Sequence, residues 1–119
     1  MGTHCHLGVR LPDGRVEATY VHYDGYPRNM LPSIDEFLSK RTTSCLLMEI
    51  RKAQSCGGFR CFTPDNREIR EDPYYTERIT ESDLGEGVYY TYVVNFDSQE
   101  IEAAQSVDGR WVKVNPTNL

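Results

Sequence analysis

Val88-Tyr89-Tyr90-Thr91-Tyr92-Val93-Val94-Asn95-Phe96 is the stretch on which the fold turns. Positions 88, 90, 92, 94 and 96 are Val, Tyr or Phe, and Tyr89, Thr91, Val93 and Asn95 interleave with them. Successive side chains of a strand point to opposite faces, and β-branched and aromatic residues suit a pleated, half-buried surface, so the run reads as a strand. Asp97-Ser98-Gln99 then turns the chain into residues 100–107, and Asp108-Gly109 is a two-residue hairpin signal leading into Trp111, Val112, Lys113 and Val114. The three strands form an antiparallel meander.

The N-terminal third has the same character. Residues 4–11 alternate Cys5, Leu7, Val9 and Leu11 against His4, His6, Gly8 and Arg10. Pro12-Asp13-Gly14 supplies a preset φ and then a residue free to take φ > 0, so the chain turns and returns as a second strand over 15–23. Asp24-Gly25-Tyr26-Pro27 stops it in a corner that Gly25 and Pro27 make rigid. Further on, Ser33-Ile34-Asp35-Glu36 has capping-box spacing and predicts a helix over 34–40. A second helix over 43–55 puts Leu46, Ile50 and Ala53 on one stripe, with Gly57-Gly58 as its stop. Residues 59–62 form a short strand candidate. The expected fold class is α+β: an antiparallel sheet of about five or six strands, an N-terminal hairpin plus the C-terminal meander, with one or two helices on one face. Its predicted core takes Leu7, Val9, Val16, Ala18, Tyr20, Phe37, Leu46, Ile50, Tyr92, Val94 and Phe96.

At 119 residues, 39% hydrophobic and 26% charged, the chain suits a single domain, 1–119. Its net charge of −5 is concentrated: residues 65–86 hold eight acids and three bases, and the rest of the chain balances. That segment is poor in apolar residues and reads as an acidic surface loop or excursion at about 64–87. The acidic balance disfavours extended nucleic-acid binding. No apolar run approaches the roughly 20 residues of a membrane-spanning helix, and the first 20 carry charges where a secretory signal is apolar. A cytoplasmic setting follows, with Cys5, Cys45, Cys56 and Cys61 all reduced.

Motifs with chemistry are few. P-loop, GxGxxG, HExxH and EF-hand signatures are missing, so no cofactor is expected. His4 and His6 share a strand face and, with a third ligand such as His22, form a zinc site only if the first two strands pair in the right register; otherwise they are exposed histidines on a sheet face. Cys56-x4-Cys61 has the wrong spacing for a zinc knuckle. His22 beside Asp24 has the residue types of an acid–base pair, but no nucleophile signature accompanies it. In the plainer reading Asp24 caps the turn and His22 hydrogen-bonds across it.

Met1-Gly2-Thr3 opening a strand, the Asp13-Gly14 hairpin and then Tyr20-Val21-His22-Tyr23-Asp24-Gly25-Tyr26-Pro27 resemble a group of small phage-encoded proteins with an MGTR-like start and a YxH(W/Y/F)DGYP corner. The likeness covers roughly the first 30 residues and departs at His4, where that group has Arg, and at Arg28-Asn29-Met30, where it has a glycine-containing continuation. The resemblance implies a viral accessory protein and transfers no catalytic residue. The expected function is a non-enzymatic protein of counter-defence type that binds and blocks a host factor or sequesters a small, nucleotide-derived ligand. The alternatives are a small hydrolase or nuclease depending on His22 with Asp24 or on a metal, and a virion structural or assembly protein. Aromatic rings with arginine can stack a base and clamp a phosphate. The candidate binding residues are therefore His22, Asp24, Tyr26 and Arg28 at the corner, with Tyr89, Asn95, Arg110 and Trp111 in the C-terminal strands. Homo-oligomerisation is left open.

Overall fold

Local pattern and long-range pairing make different contributions here. The chain runs β1 (Cys5–Arg10), β2 (Val16–Val21), α1 (Pro27–Lys40), α2 (Thr43–Ser55), β3 (Ile79–Thr80), β4 (Tyr90–Asn95), β5 (Ile101–Val107) and β6 (Arg110–Val114). The computed structural model describes residues 4–21, 25–55, 59, 79–80, 84, 87–107 and 110–114. The strands join in one sheet of order β3-β2-β1-β4-β5-β6, so the protein is α+β with two helices and a mixed sheet.

The β1–β2 hairpin forms around Gly14, whose φ of 90° is the left-handed conformation the turn requires. Arg15 donates to Asp13 from its backbone N–H and from Nε, and these bonds hold the Asp13 carboxyl below its usual pKa. The meander is also present: β4 pairs antiparallel with β5, and β5 with β6 starting from Val107 opposite Arg110. Asp108-Gly109 itself lies outside the described residues.

The joint between these halves corrects the antiparallel expectation. β1 and β4 are neighbours and run parallel, in register from Cys5 opposite Tyr90 to Arg10 opposite Asn95. Turn chemistry sets the direction of a strand only across a short loop. β2 and β4 are separated by both helices, so the direction of β4 is decided by packing.

Helix α1 starts at Pro27, not at 34. Pro27 occupies its first turn, where a missing N–H costs nothing, and Tyr26 is the extended N-cap residue. Pro27, Met30, Leu31 and Ile34 are buried and Phe37 and Leu38 partly so, one stripe at helical spacing. The Ser33 capping box is therefore mid-helix. Pro32 is tolerated inside the helix on its exposed side, at the cost of one backbone hydrogen bond. Helix α2 has the expected bounds. Thr42 Oγ1 accepts from the Cys45 N–H at 3.2 Å and caps it, and Thr43 Oγ1 donates to the Phe96 carbonyl at 2.8 Å. The Arg51 guanidinium meets the Glu17 carboxylate, which raises the arginine's pKa, and Gln54 Nε2 donates to the Ala18 carbonyl at 2.7 Å. These contacts lock α2 onto β2.

Both faces of the central strands are buried, another departure from expectation. On the helix side Cys5, Leu7, Val9, Val21, Tyr92 and Val94 pack with Met30, Ile34, Leu46, Ile50 and Phe59. On the other side Val16, Ala18 and Val93 form a separate cluster with Leu84 against it. The single core predicted from sequence is thus two. Phe37 and Phe96 are only partly buried. His6 is 3% exposed, which corrects its expected place on an open face. Of the acidic stretch at about 64–87 the structure describes 79–80, 84 and 87. Within it Ile79–Thr80 is not loop but a strand, paired antiparallel with Ala18 and Glu17. The 60–62 part of the predicted 59–62 strand lies outside the described residues.

Candidate functional site

The corner and the start of β4 meet at one end of the sheet. Tyr92 is fully buried, and its phenol Oη donates to the Gly25 carbonyl at 2.7 Å. That bond ties the entry to α1 to the middle of β4. Alternation puts Tyr90 on the same face as Tyr92, and their rings stack with centroids 6.3 Å apart and planes 17° apart. The Tyr26 ring tilts onto Tyr90 at 5.9 Å and remains 40% exposed. One residue into the helix, the Arg28 guanidinium lies over the Tyr26 ring, 5.1 Å from its centroid. Arg28 is exposed and has no carboxylate partner among the described residues. The first turn of α1 contains no acidic residue, so the partial positive charge of the helix start adds to that of Arg28. An aromatic ladder ending in a cation results.

The other sequence candidates are distributed differently. Tyr89 is 62% exposed, and its N–H donates to the His4 carbonyl at 3.1 Å. It makes no ring contact with the Tyr26–Tyr90 pair. Asn95 lies at the opposite end of β4 from Tyr90. It ends β4 opposite Arg10, and its Oδ1 accepts from the N–H groups of Asp97 and Ser98 at 3.0 and 2.9 Å. Its amide shapes a turn in which Gln99 takes φ 62°. Arg110 and Trp111 lie in β6; Trp111 pairs with Ser106, next to Gln105, the partner of Tyr90. That places their backbone at the tyrosine end, two strands away from β4. His22 and Asp24 lie outside the described residues. The site's inner members, Tyr90 and Tyr92, were legible only as alternating core residues. Their i, i+2 spacing next to a Tyr-Pro-Arg helix start was the available signal.

Among the described residues no three His, Cys, Asp or Glu side chains converge on a metal site. The His4 and His6 rings instead lie 5.5 and 6.4 Å from that of Tyr20. Cys5 is a buried free thiol; Cys45 is a half-buried one in the first turn of α2. Hydrogen bonds from Thr42, and then the charge of Arg41, hold the Cys45 thiol below its ordinary pKa. Cys56 and Cys61 lie outside the described residues. No helix among the described residues is long and apolar enough to cross a membrane.

No protein-family model matches the chain, and no match is found among curated proteins or solved structures.

Proposed function

We propose that this protein is a non-enzymatic binder whose tyrosine–arginine end captures a small, planar, anionic ligand of nucleotide type. The observation that carries this reading is the Arg28 guanidinium resting on the exposed Tyr26 ring, itself braced by Tyr90 and Tyr92. A ring system can lay a π-face against tyrosine, and arginine can take a phosphate in a bidentate grip. The brace matters because a site fixed before binding loses less conformational entropy on association. The viral accessory role implied by the N-terminal resemblance supplies a setting for it: sequestering a signal in the host cytoplasm.

The test begins with native mass spectrometry of the purified chain, to detect a retained nucleotide, followed by calorimetric titration of that nucleotide. Tyr26→Ala and Arg28→Ala should each weaken binding about tenfold or more, as loss of a charge-assisted or stacking contact does, with the melting temperature nearly unchanged. Normal binding by both variants would place the site elsewhere. A retained protein instead of a nucleotide would favour blockade of a host factor, and metal-dependent turnover would favour the hydrolase reading of the histidines.

A further inference from the structure

The sheet face turned away from the helices carries a trough, remote from the Tyr26–Arg28 pair in the sense that alternation sends its side chains the other way. Register places His6, Thr91 and Ala104 in one row across β1, β4 and β5, and Gly8, Val93 and Glu102 in the next. Ala104 contributes only a methyl group where its row neighbours carry larger side chains. The sheet surface is therefore hollowed there. Leu84 and the Arg10–Glu102 ion pair, at 3.3 Å, border the hollow, which encloses about 280 Å³ and also touches Thr91, Val93 and Ala104.

Two features make this more than a gap in packing. Thr91 is only 8% exposed, and its Oγ1 is buried without a hydrogen-bond partner. A hydroxyl taken out of water and left unbonded is costly, and a ligand's polar atom would offset that cost. The charges of Arg10 and Glu102 oppose one another, so among the described residues the border offers no net charge to attract an ion. An apolar hollow with one converging polar group is the usual form of a small-molecule site. We propose that this trough binds a neutral, largely apolar small molecule that directs one hydroxyl or carbonyl oxygen at Thr91 Oγ1. An apolar cavity of about 150 Å³ takes a benzene ring, so the space here suits a ligand of about ten non-hydrogen atoms.

The probes are 2-phenylethanol and propylbenzene, equal in heavy-atom count and differing in the hydroxyl. Each is titrated into the ¹⁵N-labelled full chain while amide shifts are followed. The alcohol should saturate shifts at Thr91, Val93 and Ala104 and bind about tenfold tighter than the hydrocarbon, the worth of one hydrogen bond made by an otherwise orphaned group. Thr91→Val keeps the shape and removes the hydroxyl, so it should erase the alcohol's advantage. Ala104→Leu fills the hollow and should weaken both probes at least tenfold. Should Ala104→Leu lose its fold, Thr91→Val decides alone. Shifts that never saturate, a preference that survives Thr91→Val, or undiminished binding in a folded Ala104→Leu overturns the proposal.

Discussion

The two faces of the sheet are made by the same strands and do different things. Toward the helices, large side chains interlock: Leu7, Val9, Tyr92 and Val94 meet Met30, Ile34, Leu46, Ile50 and Phe59, and all are buried. On the far face, among the described residues, the cluster is Val16, Ala18 and Val93 with Leu84, alongside buried polar His6 and Thr91 and the Arg10–Glu102 pair. Apolar burial stabilises at about 25 cal/mol per Å². The helix face therefore carries most of the cohesion, and the far face can use small residues to shape a surface. The tyrosine–arginine end belongs to the first face, at its exposed margin.

The largest effect expected from this contrast is on stability. Leu46→Ala or Ile50→Ala should each cost about 2–5 kcal/mol in chemical denaturation, because both leave a cavity under a fully buried helix stripe. Val93→Ala on the far face should cost less, roughly 1–2 kcal/mol for its lost methyl groups. Equal losses on the two faces would erase the distinction.

A middle-sized effect belongs to Gly8. A Cβ there would sit 2.9 Å from the Cβ of Ala18 and 3.0 Å from the Glu17 carbonyl oxygen. Neither atom can swing aside as a side-chain tip would, so Gly8→Ala should destabilise by about 1–3 kcal/mol as overpacking. The same denaturation series measures it. An unchanged midpoint would mean that the far face yields to added volume more readily than its close strand contact implies.

The smallest effect is chemical and sharpens the contrast between buried and marginal groups. With its thiol pKa lowered, Cys45 should alkylate with iodoacetamide along a pH curve displaced below that of a cysteine peptide, and Thr42→Ala should move the curve back up. The sign for stability is that of any depressed acid. The contribution is full above the unfolded thiol pKa, about 8.5, and fades as pH falls through the lower folded value. Buried Cys5 should react only on unfolding. Matching rates for the two thiols would show that the helix-covered core around β1 opens readily.

Much of the local structure was readable in advance, for reasons visible at particular residues. Asp13-Gly14 turns because glycine alone takes φ 90° without strain. The alternation of residues 88–96 makes a strand, and Leu46, Ile50 and Ala53 make the inner stripe of α2. Each of these depends on neighbours within a few residues. Helix α1 was misread in part because Ser33-Ile34-Asp35-Glu36 has capping-box spacing, whereas the 27–38 stripe, buried in the core, outweighs the one hydrogen bond lost at Pro32. Of the candidate site, Tyr26 and Arg28 were legible from their corner, but Asn95 was not distinguishable from a turn-forming asparagine.

By itself, then, the sequence determined the hairpins, the meander, the bounds of α2 and the α+β class, since turn chemistry and side-chain period act over short spans of chain. Only the tertiary structure decided that β1 and β4 run parallel, because a long crossover leaves strand direction to packing. It also decided which face the helices cover: Val9 and Val94 lie on one side, Ala18 and Val93 on the other, and alternation marks both as apolar without ranking them. The bond from Tyr92 to Gly25, which sets Tyr26 and Arg28 beside Tyr90, joins groups 67 positions apart. No local rule reaches that far; the contact exists because the assembled sheet brings the start of β4 to the end of β2.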